Sequence, residues 1–269
     1  MTGVRRAPWI AQVPVTTTAL GLPAKVEACV FDLDGVLTDS GVLHAWAWAE
    51  TFDPFLLQLS ERAGWHFIPF DRDADYRSYV DGRPRLEGVH AFLTSRGIRL
   101  AEGDPDDAPD VETAHGLARW KSEVLTHALE VRGVAPLDGA RRYLEAAGRA
   151  GLRRAVVSAS TRTMPMLELA GLDTLLEAHV DAAAIADEGL RPRPAPDLLL
   201  TACKRLGVSP EATVTLTHSP AGVAAGRSAG LTIIGVGPGD HGDLLQDFGA
   251  ERVVASLDAL LDHRVVAPA

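Results

Sequence analysis

Short apolar runs recur along the chain, and most of them end in small, acidic or hydroxyl-bearing residues. Ala28-Cys29-Val30-Phe31 leads into Asp32-Leu33-Asp34-Gly35. Ala155-Val156-Val157 ends at Ser158. Thr213-Val214-Thr215-Leu216 ends at Thr217 and His218, and Leu231 to Val236 runs into a glycine-rich turn. Runs this short, with no in–out alternation, suit strands covered on both faces, as in a parallel sheet. Arg252-Val253-Val254 is a weaker candidate of the same kind.

The segments between these runs carry helix punctuation. Asp138 is placed to cap a helix running to about Ala150, with Gly151 as its stop. Thr163 to Ala170 stops at Gly171, and Pro196 to Leu206 stops at Gly207. Ser219-Pro220 supplies an N-cap followed by a proline at the first helical position, and Gly230 ends that helix. Strands alternating with helices predict an α/β fold with a doubly wound parallel sheet. Gly235, Gly237 and Gly239 lack the spacing of a dinucleotide fingerprint, and that stretch reads as a loop.

Between about Gly41 and Arg132 the rhythm breaks. This stretch holds Trp46, Trp48, Trp65 and Trp120, four of the five tryptophans, and reads as mostly helical. An insertion of roughly 90 residues is large enough to form its own small domain. The expected organisation is an irregular Pro- and Thr-rich arm over 1–24, a core built from 25–41 and 132–269, and a helical domain over 42–131 inserted into it.

Composition narrows the partners. The net charge of −10 argues against a nucleic-acid or anionic-membrane binder, since both reward positive surface. It leaves room for a small anionic substrate, which responds to the local field of a site. Cys29 and Cys203 form no framework, and a reducing compartment is the simplest reading. Pro8, Gln12, Pro14 and Thr16 to Thr18 break up the stretch after Arg5 and Arg6, so no secretory signal is legible. No stretch reaches the ~20 apolar residues of a membrane helix. The expectation is a soluble cytoplasmic protein, monomeric or a weak dimer.

Ligands of such sheets bind beyond the carboxyl ends of the strands, which is where Asp32, Asp34, Ser158, Thr217 and His218 fall. Residues i and i+2 of an extended segment point the same way, so Asp32 and Asp34 can face one pocket. Two close carboxylates repel, and one tends to hold a proton, which suits a nucleophile beside a general acid. A simple Asp-Gly turn is the plain alternative, and a calcium loop lacks its further acids.

Val30-Phe31-Asp32-Leu33-Asp34-Gly35-Val36-Leu37-Thr38-Asp39-Ser40 resembles the first signature of the haloacid dehalogenase superfamily. The likeness continues through Val157-Ser158-Ala159-Ser160, Arg193-Pro194-Ala195-Pro196-Asp197, Ser219-Pro220-Ala221-Gly222-Val223 and Ala229-Gly230. Order and spacing are similar to the β-phosphoglucomutase-like branch, in which a helical cap is inserted after the first signature. The resemblance covers about residues 24 to 260. It implies a phosphatase or phosphomutase acting on a small phosphorylated sugar or related polyol. Asp32 would be the nucleophile that forms an aspartyl phosphate, and Asp34 the general acid/base. Ser158, beside Ala159, would hold phosphate with the backbone N–H groups of Leu33 and Asp34. In the cap, His44 and Trp48 resemble the family's hinge segment, Arg85 is the better match to its phosphate-binding arginine, and Lys121 follows similar logic. The plain alternatives are an interface histidine for His44 and solvated surface charge for Arg83, Arg85 and Lys121.

Two departures from the family pattern matter. Arg193 stands where the family has lysine, so a planar fork replaces a point charge. Thr217-His218 stands where the family has Glu-Asp, the acids that complete its Mg²⁺ site. Asp32 and Asp34 remain as candidate metal ligands, with a weak or absent site, and Asp181 or Asp197 is the nearby acid that could assist. Mg²⁺ leans on carboxylate oxygens, whereas Thr217 is a weak ligand and His218 a nitrogen ligand. Losing two acids together with Mg²⁺ leaves the charge of the pocket almost unchanged. Two outcomes are compatible with this. One is a phosphotransferase with weakened Mg²⁺ dependence or activity. The other is a metal-free protein that binds a phosphorylated or polyhydroxy ligand through Arg193, Ser158 and backbone N–H groups, without normal turnover.

Overall fold

The computed structural model describes residues 15–262. Its centre is a six-stranded, wholly parallel sheet. The strands are β1 (Ala28–Asp32), β2 (Arg153–Val157), β3 (Ala178–Val180), β4 (Thr213–Thr217), β5 (Thr232–Val236) and β6 (Arg252–Val254), in the order β3-β2-β1-β4-β5-β6. Every residue of β1 and β4 is buried, as the apolar runs predict. The chain crosses from one half of the sheet to the other beside β1, and Asp32 is the last residue of that strand.

Between β1 and β2 the chain forms α1 (Gly41–Ala63), α2 (Arg85–Ser95) and α3 (Ala114–Arg132). These helices build a hydrophobic cluster of their own. Phe52 is its hub, stacked on Trp48 at 5.0 Å between centroids and set against Phe92 at 4.2 Å. Both ends of the insertion reach back into the main core. Leu43 and Ala47 of α1, and Leu125, Ala128 and Leu129 of α3, pack there.

The remaining helices are α4 (Ala140–Arg149), α5 (Thr163–Ala170), α6 (Ala182–Glu188), α7 (Asp197–Leu206), α8 (Pro220–Ala229) and α9 (Gly239–Asp247). The sheet divides its side chains between two faces. Cys29, Phe31, Val156 and Leu216 pack with Tyr143 and Leu144 of α4 and Met166 of α5. Ala28, Val30, Ala155 and Val157 pack with Leu198, Leu199 and Ala202 of α7 and Ala225 of α8. Each fully buried Leu or Phe side chain contributes about 1.5–3 kcal/mol of transfer free energy.

Several expectations need correction. Gly139, not Asp138, occupies the cap position of α4. The three-residue β3 and the seven-residue α6 carry too little apolar pattern to be read. Of the stretch read as a loop, Gly235 belongs to β5, Gly237-Pro238 is the loop, and Gly239 opens α9, a helix that its Gly and Asp content hides. Ser219 does cap α8, accepting from Gly222 N at 3.1 Å. Of the expected arm, residues 1–14 lie outside the described residues. Residues 15–24 are irregular apart from one 3₁₀ turn, Thr18–Leu20, but they are packed: the turn buries Leu20 and leads to buried Leu22. Tyr143 Oη donates to Leu20 O at 3.1 Å, and Arg252 donates to Gly21 O at 2.8 Å.

Leu20 is fully buried, so Leu20→Ala is expected to cost about 2–5 kcal/mol in urea unfolding. A loss under about 0.5 kcal/mol would mean that this segment is not part of the core.

Candidate active site

β1 delivers Asp32 to the carboxyl end of the sheet, flanked by the ends of β2 and β4. The side chain is buried, and such a charge survives only if hydrogen-bonded and paired. Its carboxylate receives four donors. Arg193 Nη1 donates to Oδ2 at 3.1 Å, and Arg193 Nη2 donates to Oδ1. Thr217 Oγ1 donates to Oδ2 at 2.7 Å, and the His218 backbone N–H donates to the same oxygen at 3.2 Å. The guanidinium comes from the loop between α6 and α7. Arg191 braces that loop by gripping Asp197 with Nη2 at 2.8 Å and Nε at 3.1 Å.

After Asp32 the chain turns sharply, with Gly35 N–H bonded to Thr38 O at 3.0 Å. Gly35 has a φ of 71°, and a Cβ there would lie 2.4 Å from the His218 ring. The imidazole therefore packs directly on the backbone of the turn. Its Nε2 is 3.9 Å from Asp81 of the inserted domain, and its ring lies against His241, whose Nε2 reaches His218 O at 2.7 Å.

Asp34 sits in different surroundings. It accepts from Ser40 Oγ, which is also 2.9 Å from Thr38 Oγ1, and its side chain is 25% exposed. His44, on the first turn of α1, brings Nε2 to 3.8 Å from Asp34. Lys121 of α3 lies 3.0 Å from His44 Nδ1 and 5.2 Å above the Trp48 ring. While Lys121 is an ammonium it can only donate, which puts the imidazole proton on Nε2, the nitrogen nearer Asp34. Burial, then the Lys121 charge, pushes His44 down to about 4, so the ring is neutral. Burial, then Arg85, pushes Lys121 down to about 7. The ammonium is charged below that pH and neutral above it.

A cavity of about 80 Å³ joins these groups, lined by Asp32, Leu33, Asp34, His44, Trp48, Arg85, Lys121, Ser158, Ala159 and His218. Arg193 and Thr217 do not line it; they back Asp32 from behind. The expected contact of Arg193 with phosphate is therefore corrected. It grips the nucleophile candidate instead, because its fork fits a carboxylate. Ser158 Oγ accepts from Ser160 N at 3.1 Å, and Leu33 N–H makes a long 3.4 Å bond to Val157 O that an incoming oxygen can displace.

Sequence reasoning missed Asp81, Tyr76 and Arg162, which also line the cavity. Asp81 adjoins the Gly82-Arg83-Pro84-Arg85 loop, but nothing in its spacing marks it. Burial, with Asp34 and Asp32 nearby, raises its carboxyl against the pull of His218. Gly82, at φ 67°, lets this loop press on the core, since a Cβ would sit 3.3 Å from Ser219 Oγ. Arg162 donates to Thr126 Oγ1 at 2.6 Å, and Arg85 donates to Thr161 Oγ1 at 3.1 Å. Burial and the Arg162 charge both lower Arg85, so the two guanidiniums that line the cavity repel.

The donor set does not fit Mg²⁺. A divalent cation needs free carboxylate oxygens, whereas Asp32 Oδ2 already accepts three bonds and Oδ1 is held by the Arg193 guanidinium. Asp181 accepts from the N–H groups of Ala183 and Ala184, and Asp197 is held by Arg191. Neither assists Asp32. Among the described residues no group of three His, Cys, Asp or Glu is placed to hold a metal ion.

The parallel sheet, the inserted helices and the acids at the end of β1 define a hydrolase-type α/β fold. The family model of haloacid dehalogenase-like hydrolases matches residues 26–230, and the chain belongs to that family. It is 44% identical over 251 residues to a "Beta-phosphoglucomutase" of Mycobacterium tuberculosis, covering 92% of this chain and 96% of that protein. The fold is similar to a crystal structure of β-phosphoglucomutase from Clostridium difficile, with a TM-score of 0.70 at 22% identity over 89% of this chain and 95% of that one. A mutant of CbbY from Rhodobacter sphaeroides, solved in complex with xylulose-(1,5)bisphosphate, matches with a TM-score of 0.63 at 25% identity, covering 88% of this chain and 99% of that one. Among the described residues no helix is long and apolar enough to cross a membrane.

The Lys121 charge can be tracked directly, because the chain has only three lysines, Lys25, Lys121 and Lys204. In NMR of ¹³C-lysine-labelled protein, the signal absent from Lys121→Met is expected to titrate near pH 7. A midpoint above about 10, ordinary for lysine, would contradict the buried setting.

Proposed function

We propose that the protein is a sugar-phosphate phosphotransferase, a phosphatase or a β-phosphoglucomutase-like mutase, working through Asp32 and Asp34. The observation that carries this reading is the contrast between the two carboxylates across one cavity. Asp32 is buried and paired with a fixed cation, a setting that suits a carboxylate nucleophile. Asp34 is partly exposed and hydrogen-bonded to a hydroxyl, with neutral His44 and Lys121 behind it, as a proton carrier requires. In the reaction, Asp32 Oδ attacks phosphorus while the bond from phosphorus to the sugar oxygen breaks. Asp34 gives its proton to the departing oxygen. Water, or another hydroxyl of the same sugar, then attacks the aspartyl phosphate, and Asp34 takes the proton of that nucleophile.

Arg85 and Arg162 both line the cavity and repel one another. An anionic or hydroxyl-rich group of the substrate placed between them relieves that repulsion. The complex of the CbbY mutant with a sugar bisphosphate supports a ligand of this class. The inserted helices would cover the ligand and exclude water, which favours transfer between hydroxyls over hydrolysis.

A second reading is favoured by one observation, the four donors on Asp32. Three of these bonds fall on Oδ2, which leaves attack to Oδ1, and the Arg193 guanidinium grips that oxygen too. A protein in which this grip prevents attack would bind a phosphorylated or polyhydroxy ligand without turnover.

Assays of phosphate release and of isomerisation with β-glucose 1-phosphate separate the two. Asp32→Asn is expected to lower kcat by at least about a thousandfold, since removal of the nucleophile leaves only binding. Equal turnover in wild type and variant would refute the aspartyl phosphate; binding without turnover in the wild type would establish the second reading. Arg162→Ala is expected to raise KM about 10- to 100-fold, the worth of one charge-assisted contact, with a smaller effect on kcat.

A further inference from the structure

We infer that Arg193, the Thr217 hydroxyl and the His218 backbone N–H form a permanent substitute for a divalent cation at Asp32, so that this site has no metal requirement. The inference rests on the reading of Asp32 as the reacting carboxylate. It comes from the polarity of the groups around that side chain.

A carboxylate offers about four lone-pair positions. Asp32 has three donors on Oδ2 and one on Oδ1, and its side chain is only 6% exposed. A cation at Oδ2 would have to break several of these bonds, and one at Oδ1 would have to displace the guanidinium. It would also meet a pair that is already neutral, because the guanidinium carries its charge at every working pH.

The neighbouring strand points the same way. Carboxylates at positions 217 and 218 would repel Asp32 and need a cation between them. Thr217 Oγ1 instead donates to Asp32 at 2.7 Å, and Ser219 N–H donates to Thr217 Oγ1 at 3.3 Å, which leaves the hydroxyl proton for Asp32. The His218 ring turns away, onto Gly35 and toward Asp81. An acceptor–cation–acceptor bridge has become direct donor–acceptor contact. Lysine in place of Arg193 could not bridge both oxygens, so this substitution belongs with the other two.

The test uses the full chain and Mn²⁺ alone, with free Mn²⁺ monitored by electron paramagnetic resonance, in wild type and Asp32→Asn. No saturable site that depends on Asp32 is expected up to about 1 mM. A Mn²⁺ site of equal strength in both proteins lies elsewhere and agrees with the inference. One Mn²⁺ per wild-type chain that is lost in Asp32→Asn overturns it. Turnover of β-glucose 1-phosphate in EDTA and in 5 mM Mg²⁺ provides the second readout. Rates within about twofold are expected, and stimulation by Mg²⁺ of tenfold or more overturns the inference. Failure of the phosphotransfer reading shows differently, as no turnover in either buffer, and leaves the Mn²⁺ result to be judged by itself.

Discussion

A buried carboxylate at the end of the central strand needs a compensating charge, and Arg193 supplies it to Asp32. The ionised side chain costs several kcal/mol to bury without a partner, even after local relaxation. The guanidinium is itself only 7% exposed, so the two charges depend on each other. The loop that carries Arg193 is in turn held by Arg191 on Asp197, at the start of α7. α7 packs its Leu198, Leu199 and Ala202 under β1 and β2. One ion pair thus links the carboxyl end of the sheet to the helix layer beneath it.

The same pair separates the roles of two nearby carboxylates. Asp32 is fixed by donors from behind the cavity wall, while Asp34 looks into the gap between sheet and inserted helices. What the insertion contributes is charge at chosen places: Lys121 beside His44, Arg85 opposite Arg162, and Asp81 opposite His218. Lys121 is buried where the inserted helices meet the core, and Asp81 is largely covered there. The altered protonation of these two is therefore a consequence of the two parts coming together.

Much of the fold is legible in the sequence because buried parallel strands leave continuous apolar runs. β1, β2, β4 and β5 all announce themselves in this way, and Ser219-Pro220 marks α8. β3 and α6 escape because three and seven residues are too few to show a period. α9 escapes because its glycines mimic a turn. In the site, Asp32, Asp34, Ser158, His44, Trp48, Arg85 and Lys121 stand out in the sequence, and all line one cavity. Arg193 stands out too, but its target is a matter of side-chain direction, which spacing does not carry. Asp81, Tyr76 and Arg162 become partners only through the approach of distant segments. Leu20 shows no sign of burial in a stretch rich in Pro and Thr.

The mutual dependence of Asp32 and Arg193 is open to direct measurement by a double-mutant cycle. Urea unfolding would compare wild type, Asp32→Asn, Arg193→Met and the double variant. Each single change is expected to cost about 3–5 kcal/mol, because it leaves a lone buried charge or an unmet set of donors. The double change should cost far less than the sum of the two. Additive losses would contradict the pairing on which the site is built.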